Sequence, residues 1–127
     1  LTNPGHLTDA TDHLRQAITA ATVAADRRAE GQFRGYLALA LARQGFLDEA
    51  RESLAVGERL LLAVSDRLSH ALLLCDRAEV EALGARPAEA KRAMDNAQRI
   101  TIELNCGPDS ALRRRLAALN TTIHVTT

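Results

Sequence analysis

The fold is decided by residues 45–57, GFLDEARESLAVG, because related stretches occur at the same spacing before and after it, at residues 5–17 and 85–97. In each copy a small residue is followed four positions later by a larger apolar residue and three positions after that by another small one. The three copies are Ala10-Leu14-Ala17, Ala50-Leu54-Gly57 and Ala90-Met94-Ala97. This spacing places the three side chains on one helical face, where the small residues let a neighbouring helix approach closely. The pattern predicts a repeated helical hairpin.

Glycine, proline and helix-capping residues divide the rest of the chain into helical stretches. We predict six helices: from Thr8 or Asp9 to an end near Arg27 to Gly31, from about Gln32 to Gln44, from Leu47 to Val64, from Asp66 to Gly84, from Pro87 to Leu104, and from Asp109 or Ser110 to Leu119. Gly45 and Gly84 suit helix C-termini, and Pro87 suits a first helical turn. Residues 3–5 are predicted as a loop and residues 120–127 as a frayed tail.

Composition favours one small helical domain spanning residues 1–127. Hydrophobic residues make up 46% of the chain and aromatic residues only 2%, which favours helices over sheets. The formal net charge is zero, from 16 basic and 16 acidic residues, so the chain lacks the broad positive field that attracts nucleic acid or an anionic membrane. No apolar run approaches the roughly 20 residues of a membrane helix, and no signal peptide is evident. We expect a cytoplasmic protein and, because the chain starts without Met, a fragment of a longer one.

The central repeat resembles the tetratricopeptide family. In that family large, small and aromatic positions on one helix precede a glycine and then A-x3-F-x2-A on the next helix, and the matching residues here are Leu37, Ala38, Leu41, Gly45, Ala50, Leu54 and Gly57. Residues 84–97 form a weaker second copy, and residues 7–24 resemble the second helix of an earlier one. The period of 40 differs from the usual ~34, Leu41 replaces a Tyr, Leu62 replaces a Pro, and Asp76 and Arg77 fit apolar positions poorly. The resemblance implies an all-α, right-handed solenoid of about six stacked, antiparallel helices.

What the family resemblance implies for function is protein recognition. The first helix of each hairpin would line a concave groove that holds a peptide or a partner helix, as part of a bacterial signalling or transcription-control protein. Matched position by position, Gln32, Leu39 and Arg43 would face this groove, with Tyr36 at its edge. Arg43 could pair with a carboxylate and Leu39 could anchor an apolar side chain. The alternative is structural, because an Arg near a helix C-terminus interacts well with the helix dipole and a Leu in a helical repeat usually packs in the core.

Residues that could carry chemistry do not form a recognisable site. His6 and His13 lack further ligands at a zinc-site spacing, and Cys75 has apolar neighbours that would leave its thiol inert. The glycines are scattered, so no phosphate-binding loop is present. The basic run 113–115 could bind a phosphate or an acidic partner, but a solvated helix face is the preferred interpretation. We therefore predict no catalytic activity, no metal and no cofactor.

A second hypothesis for function is structural self-association. A short solenoid has exposed end faces, and the first and last helices carry enough Ala and Leu to pair with a second copy. The chain would then be a homodimerisation module. A dimer whose groove is filled by the partner's own helix would favour this alternative.

Overall fold

The computed structural model of the protein describes the backbone of residues 4–126 and the side chains of residues 8–123. These residues form six helices and no strand, as the sequence predicts. The helices are α1 (Pro4–Val23), α2 (Arg27–Arg43), α3 (Leu47–Ala63), α4 (Arg67–Leu83), α5 (Pro87–Glu103) and α6 (Ala111–Thr126).

The turns between helices share one geometry. A residue with positive φ recurs at a constant interval along the chain, at Ala25, Gly45, Ser65, Ala85 and Asn105. The N–H after each of these residues bonds back to a carbonyl five positions earlier, as from Phe46 to Leu41 at 2.9 Å. This bond is the signature of a Schellman motif, which satisfies carbonyls at a helix C-terminus. Ala50 and Ala90, which are one repeat apart, are separated by two of these intervals. Each repeat therefore consists of two helix-and-turn units of equal length.

Several predicted helix ends need correction, because most of these turns lack glycine. Helix α2 begins at Arg27 and not near Gln32, since Ala25 already makes the turn and the Asp26 carboxylate accepts the Ala29 N–H at 3.0 Å. Gly84 ends α4 as predicted but has negative φ, and the left-handed residue is Ala85.

The two ends of the chain are also more helical than predicted. Helix α1 already begins at Pro4, within the predicted loop. Helix α6 continues to Thr126 and buries Ile123, so the helix extends through most of the stretch predicted as a frayed tail. Residue 127 lies outside the described residues.

The helices pack as a stack of hairpins. Helices that follow one another along the chain pack together, and α2 also packs against α4, and α4 against α6. The even-numbered helices thus form a continuous row, and the odd-numbered helices pack against that row. A surface shared by α2, α4 and α6 is a direct result of this arrangement.

The small residues of the repeat allow the helices to approach closely. Ala50 and Ala90 have no exposed surface. A Cβ built on Gly57 would lie only 3.0 Å from the Gly31 carbonyl of α2, so the close contact requires glycine there. Ala10, by contrast, is exposed, because α1 packs against α2 alone.

Candidate partner-binding groove

An open groove of about 730 Å³ lies over the C-terminal parts of α2 and α4 and along α6. Each of these helices contributes to it. Its lining residues are Arg43 from α2, Glu79, Ala82 and Leu83 from α4, and Arg114, Arg115, Ala118, Leu119, Thr122 and Ile123 from α6. We call this surface the even-helix groove.

The floor of the even-helix groove is apolar. Leu83, in the last turn of α4, keeps 53% of its surface exposed, whereas Leu119 and Ile123 on α6 are buried beneath the surface. Ala82 and Ala118 add small side chains that leave room above them. Leu83 is therefore the large apolar group that a bound partner would cover.

Arginine and glutamate side chains cross the groove from one helix to the next. Glu79 on α4 accepts hydrogen bonds from Arg43 on α2 at 3.4 Å and from Arg115 on α6 at 3.1 Å. Since one carboxylate bridges two guanidinium groups, the row of three helices is tied together at this point. Arg43 remains half-exposed, so part of its guanidinium group is still accessible.

A buried carboxylate lies next to this network. Asp76 on α4 is only 2% exposed, and its Oδ1 lies 2.6 Å from Arg115 Nη2 without the alignment of a hydrogen bond. Gly35 on α2 makes space for it, since a Cβ at Gly35 would overlap with Asp76 Oδ2. Burial raises the pKa of Asp76 to about 6, and the nearby Arg115 charge only partly offsets this effect.

The basic run 113–115 does not form the uniform solvated face that we preferred from the sequence. The Arg113 guanidinium donates to the Cys106 carbonyl at 2.7 Å, and Arg115 is held by Asp76 and Glu79. Arg114 is exposed at the groove and makes no ion pair with residues 8–123.

The four predicted groove residues of α2 do not all lie together. Arg43 lines the even-helix groove, whereas Gln32 donates a hydrogen bond to the Ser69 hydroxyl at 2.9 Å. Tyr36 is half-exposed, and its ring meets the Phe33 ring edge-on with centroids 6.4 Å apart. Leu39 is partly buried and packs against the core.

The sequence reasoning missed the contributions of α4 and α6. The positions equivalent to Arg43 in the next two repeats are Leu83 and Ile123, and both line the groove. The repeat spacing that predicted the hairpins could therefore also have identified Leu83 and Ile123 as groove residues. Groove positions were matched in the central repeat alone, because Asp76 and Arg77 fit the apolar positions of the family pattern poorly in the next one.

Other reactive side chains are held in structural contacts. Burial raises the pKa of the Cys75 thiol to about 12, and both Cys75 and Cys106 are free. Glu58 has a lowered pKa, first because it shares a hydrogen bond of 3.0 Å with His70 and further because Arg77 is near. The side chain of His6 lies outside the described residues, and within residues 8–123 no three potential ligands are grouped around a metal-sized space.

None of the described helices has both the length and the apolar character required to cross a bilayer. Comparison of the chain with family models, with curated proteins and with solved structures finds no match.

Proposed function

We propose that this chain is a tetratricopeptide-like protein-interaction module that binds a peptide or a partner helix in the even-helix groove. The observation that carries the proposal is the half-exposed Leu83 in an open groove that charged side chains also line. An apolar anchor point surrounded by polar groups is the usual anatomy of a peptide-binding surface. The resemblance of the central repeat to the tetratricopeptide pattern supports the same function.

The setting we propose is a regulatory part of a bacterial signalling or transcription-control protein in the cytoplasm, without catalytic activity of its own. This setting follows from the family resemblance.

The proposal can be tested with peptides selected from a random displayed library on the immobilised chain. Leu83→Gln should weaken the selected peptides about tenfold, since the half of Leu83 that is still exposed represents roughly 1–1.5 kcal/mol of burial. Fluorescence anisotropy of a labelled peptide measures the change in Kd.

Leu68→Gln is the matched control, because Leu68 lies on the same helix, is 48% exposed and does not line the groove. It should leave the Kd unchanged. A selection that enriches no sequence, or peptides that lose the same affinity with both variants, would contradict the proposed function.

A further inference from the structure

We infer that the partner of the even-helix groove is an acidic peptide segment that carries carboxylates and one large apolar side chain. This inference rests on the proposed function and adds the chemistry of the ligand. It is carried by the excess of positive charge in the groove, by the N–H donors that its arginines leave unused and by the exposed leucine in the same groove.

The groove is positively charged within a chain that is neutral overall. Three arginines and one glutamate line it, which gives a formal charge of +2, whereas the whole chain has a net charge of zero. The buried Asp76 next to Arg115 lowers this to +1 when it is ionised. Positive charge therefore exceeds negative charge in both protonation states of Asp76, and a ligand with carboxylates is favoured.

Donors for such a ligand remain available. Arg114 is exposed and makes no ion pair with the described side chains. A guanidinium group has five N–H donors, and the structure commits only Nη2 of Arg43 to Glu79. Two arginines on different helices, Arg43 and Arg114, can thus each receive a carboxylate of the ligand.

The exposed surface of Leu83 favours a large apolar side chain in the same ligand. Leu83 is half-exposed, and the neighbouring Ala82 and Ala118 are small enough to admit a large side chain beside it. A nucleic acid strand would contact the arginines, but the described lining of the groove contains no aromatic ring on which its bases could stack. The observations favour a peptide.

The test uses two synthetic peptides, one with a central leucine flanked on both sides by glutamates and one with glutamines in place of those glutamates. The acidic peptide should bind about tenfold more tightly at low ionic strength, and this advantage should shrink as sodium chloride rises from about 50 to about 300 mM. Arg114→Gln should weaken the acidic peptide about threefold and leave the glutamine peptide unchanged.

Arg59→Gln is the control for loss of charge, because Arg59 is also exposed, forms no ion pair among residues 8–123 and lies outside the groove. It should change neither affinity. Equal binding of the two peptides, with a loss in Leu83→Gln, would overturn the acidic partner and leave the proposed function intact. No binding of either peptide, or tighter binding of a single-stranded oligonucleotide of equal charge that depends on Arg114, would also overturn the acidic partner. Failure of the proposed function itself is recognised separately, from a library selection that yields no peptide dependent on Leu83.

Discussion

At the scale of single residues, the feature that most distinguishes this chain from a simple apolar repeat is Asp76. Its carboxylate is buried between Gly35 and Arg115, where the sequence pattern expects an apolar side chain. Because burial raises its pKa to about 6 from the ordinary value of 3.8, the folded state binds a proton more readily than the unfolded chain does. The contribution of Asp76 to stability is therefore fully present below pH 3.8 and is lost as the pH rises through about 6.

Asp76→Asn should remove this dependence. Relative to the natural chain, the asparagine variant should gain ~2–3 kcal/mol in free energy of unfolding as the pH rises from about 4 to about 7, because only the natural chain must ionise a buried carboxylate. Urea denaturation of both proteins at several pH values measures the difference.

Asp66→Asn provides a control with the same chemical change. Burial would raise the pKa of Asp66, but hydrogen bonds from Ser69 and Arg28 outweigh this effect and lower it. Asp66 is then ionised in both folded and unfolded chains above about pH 5, so the difference from the natural chain should stay constant between about pH 5 and 7. A constant difference for Asp76→Asn over the whole range would show that Asp76 does not have the raised pKa.

At the scale of helices and turns, the regular spacing of left-handed residues sets the length of each helix. Ala25 and Ala85 adopt φ of 55° and 58°, where an L-residue with a Cβ is strained, whereas Gly45 adopts 90° without that strain. All three lie in turns of the same Schellman type. The backbone strain at the two alanines therefore lowers the free energy of unfolding of the chain.

Ala85→Gly should raise the free energy of unfolding by about 0.5–1 kcal/mol, because relief of the left-handed strain exceeds the extra entropy of glycine in the unfolded chain. Gly45→Ala should lower it by about 1 kcal/mol for the opposite reason. Thermal or urea denaturation measures both changes.

Ala55→Gly, at an exposed position inside α3, separates turn geometry from the general effect of glycine. It should cost about 1 kcal/mol, since glycine is unfavourable within a helix. If Ala85→Gly lowered the free energy of unfolding as much as Ala55→Gly, the conclusion that Ala85 adopts a strained left-handed conformation would be contradicted.

Helix boundaries also show what the sequence could and could not predict. The ends at Gly45 and Pro87 were predicted correctly, because glycine and proline have strong conformational preferences. The start of α2 was placed too late, at Gln32 instead of Arg27, because Ala25 gives no local sign of a left-handed turn. Tertiary packing of α1 on α2 supports that turn, and a short window of sequence does not contain this information.

At the scale of the whole molecule, the repeat spacing predicted the stack of hairpins but only part of the groove. Arg43 was found because its repeat follows the family pattern closely, whereas Leu83 occupies the equivalent position in a repeat that departs from it. The ion pair of the buried Asp76 with the partly exposed Arg115 joins two helices that are distant in sequence, and no local pattern indicates that the two residues are partners. The lining of a groove between helices depends on such distant pairs.

The even-helix groove is the surface that we propose for binding a partner. The most direct measurement is the change in backbone amide chemical shifts when the glutamate-flanked leucine peptide is titrated into the isotope-labelled chain. We predict that the largest shifts occur at Ala82, Leu83, Ala118 and Thr122, which line the groove. Shifts concentrated instead at exposed residues away from it, such as Leu68 or Ile102, would contradict the claim.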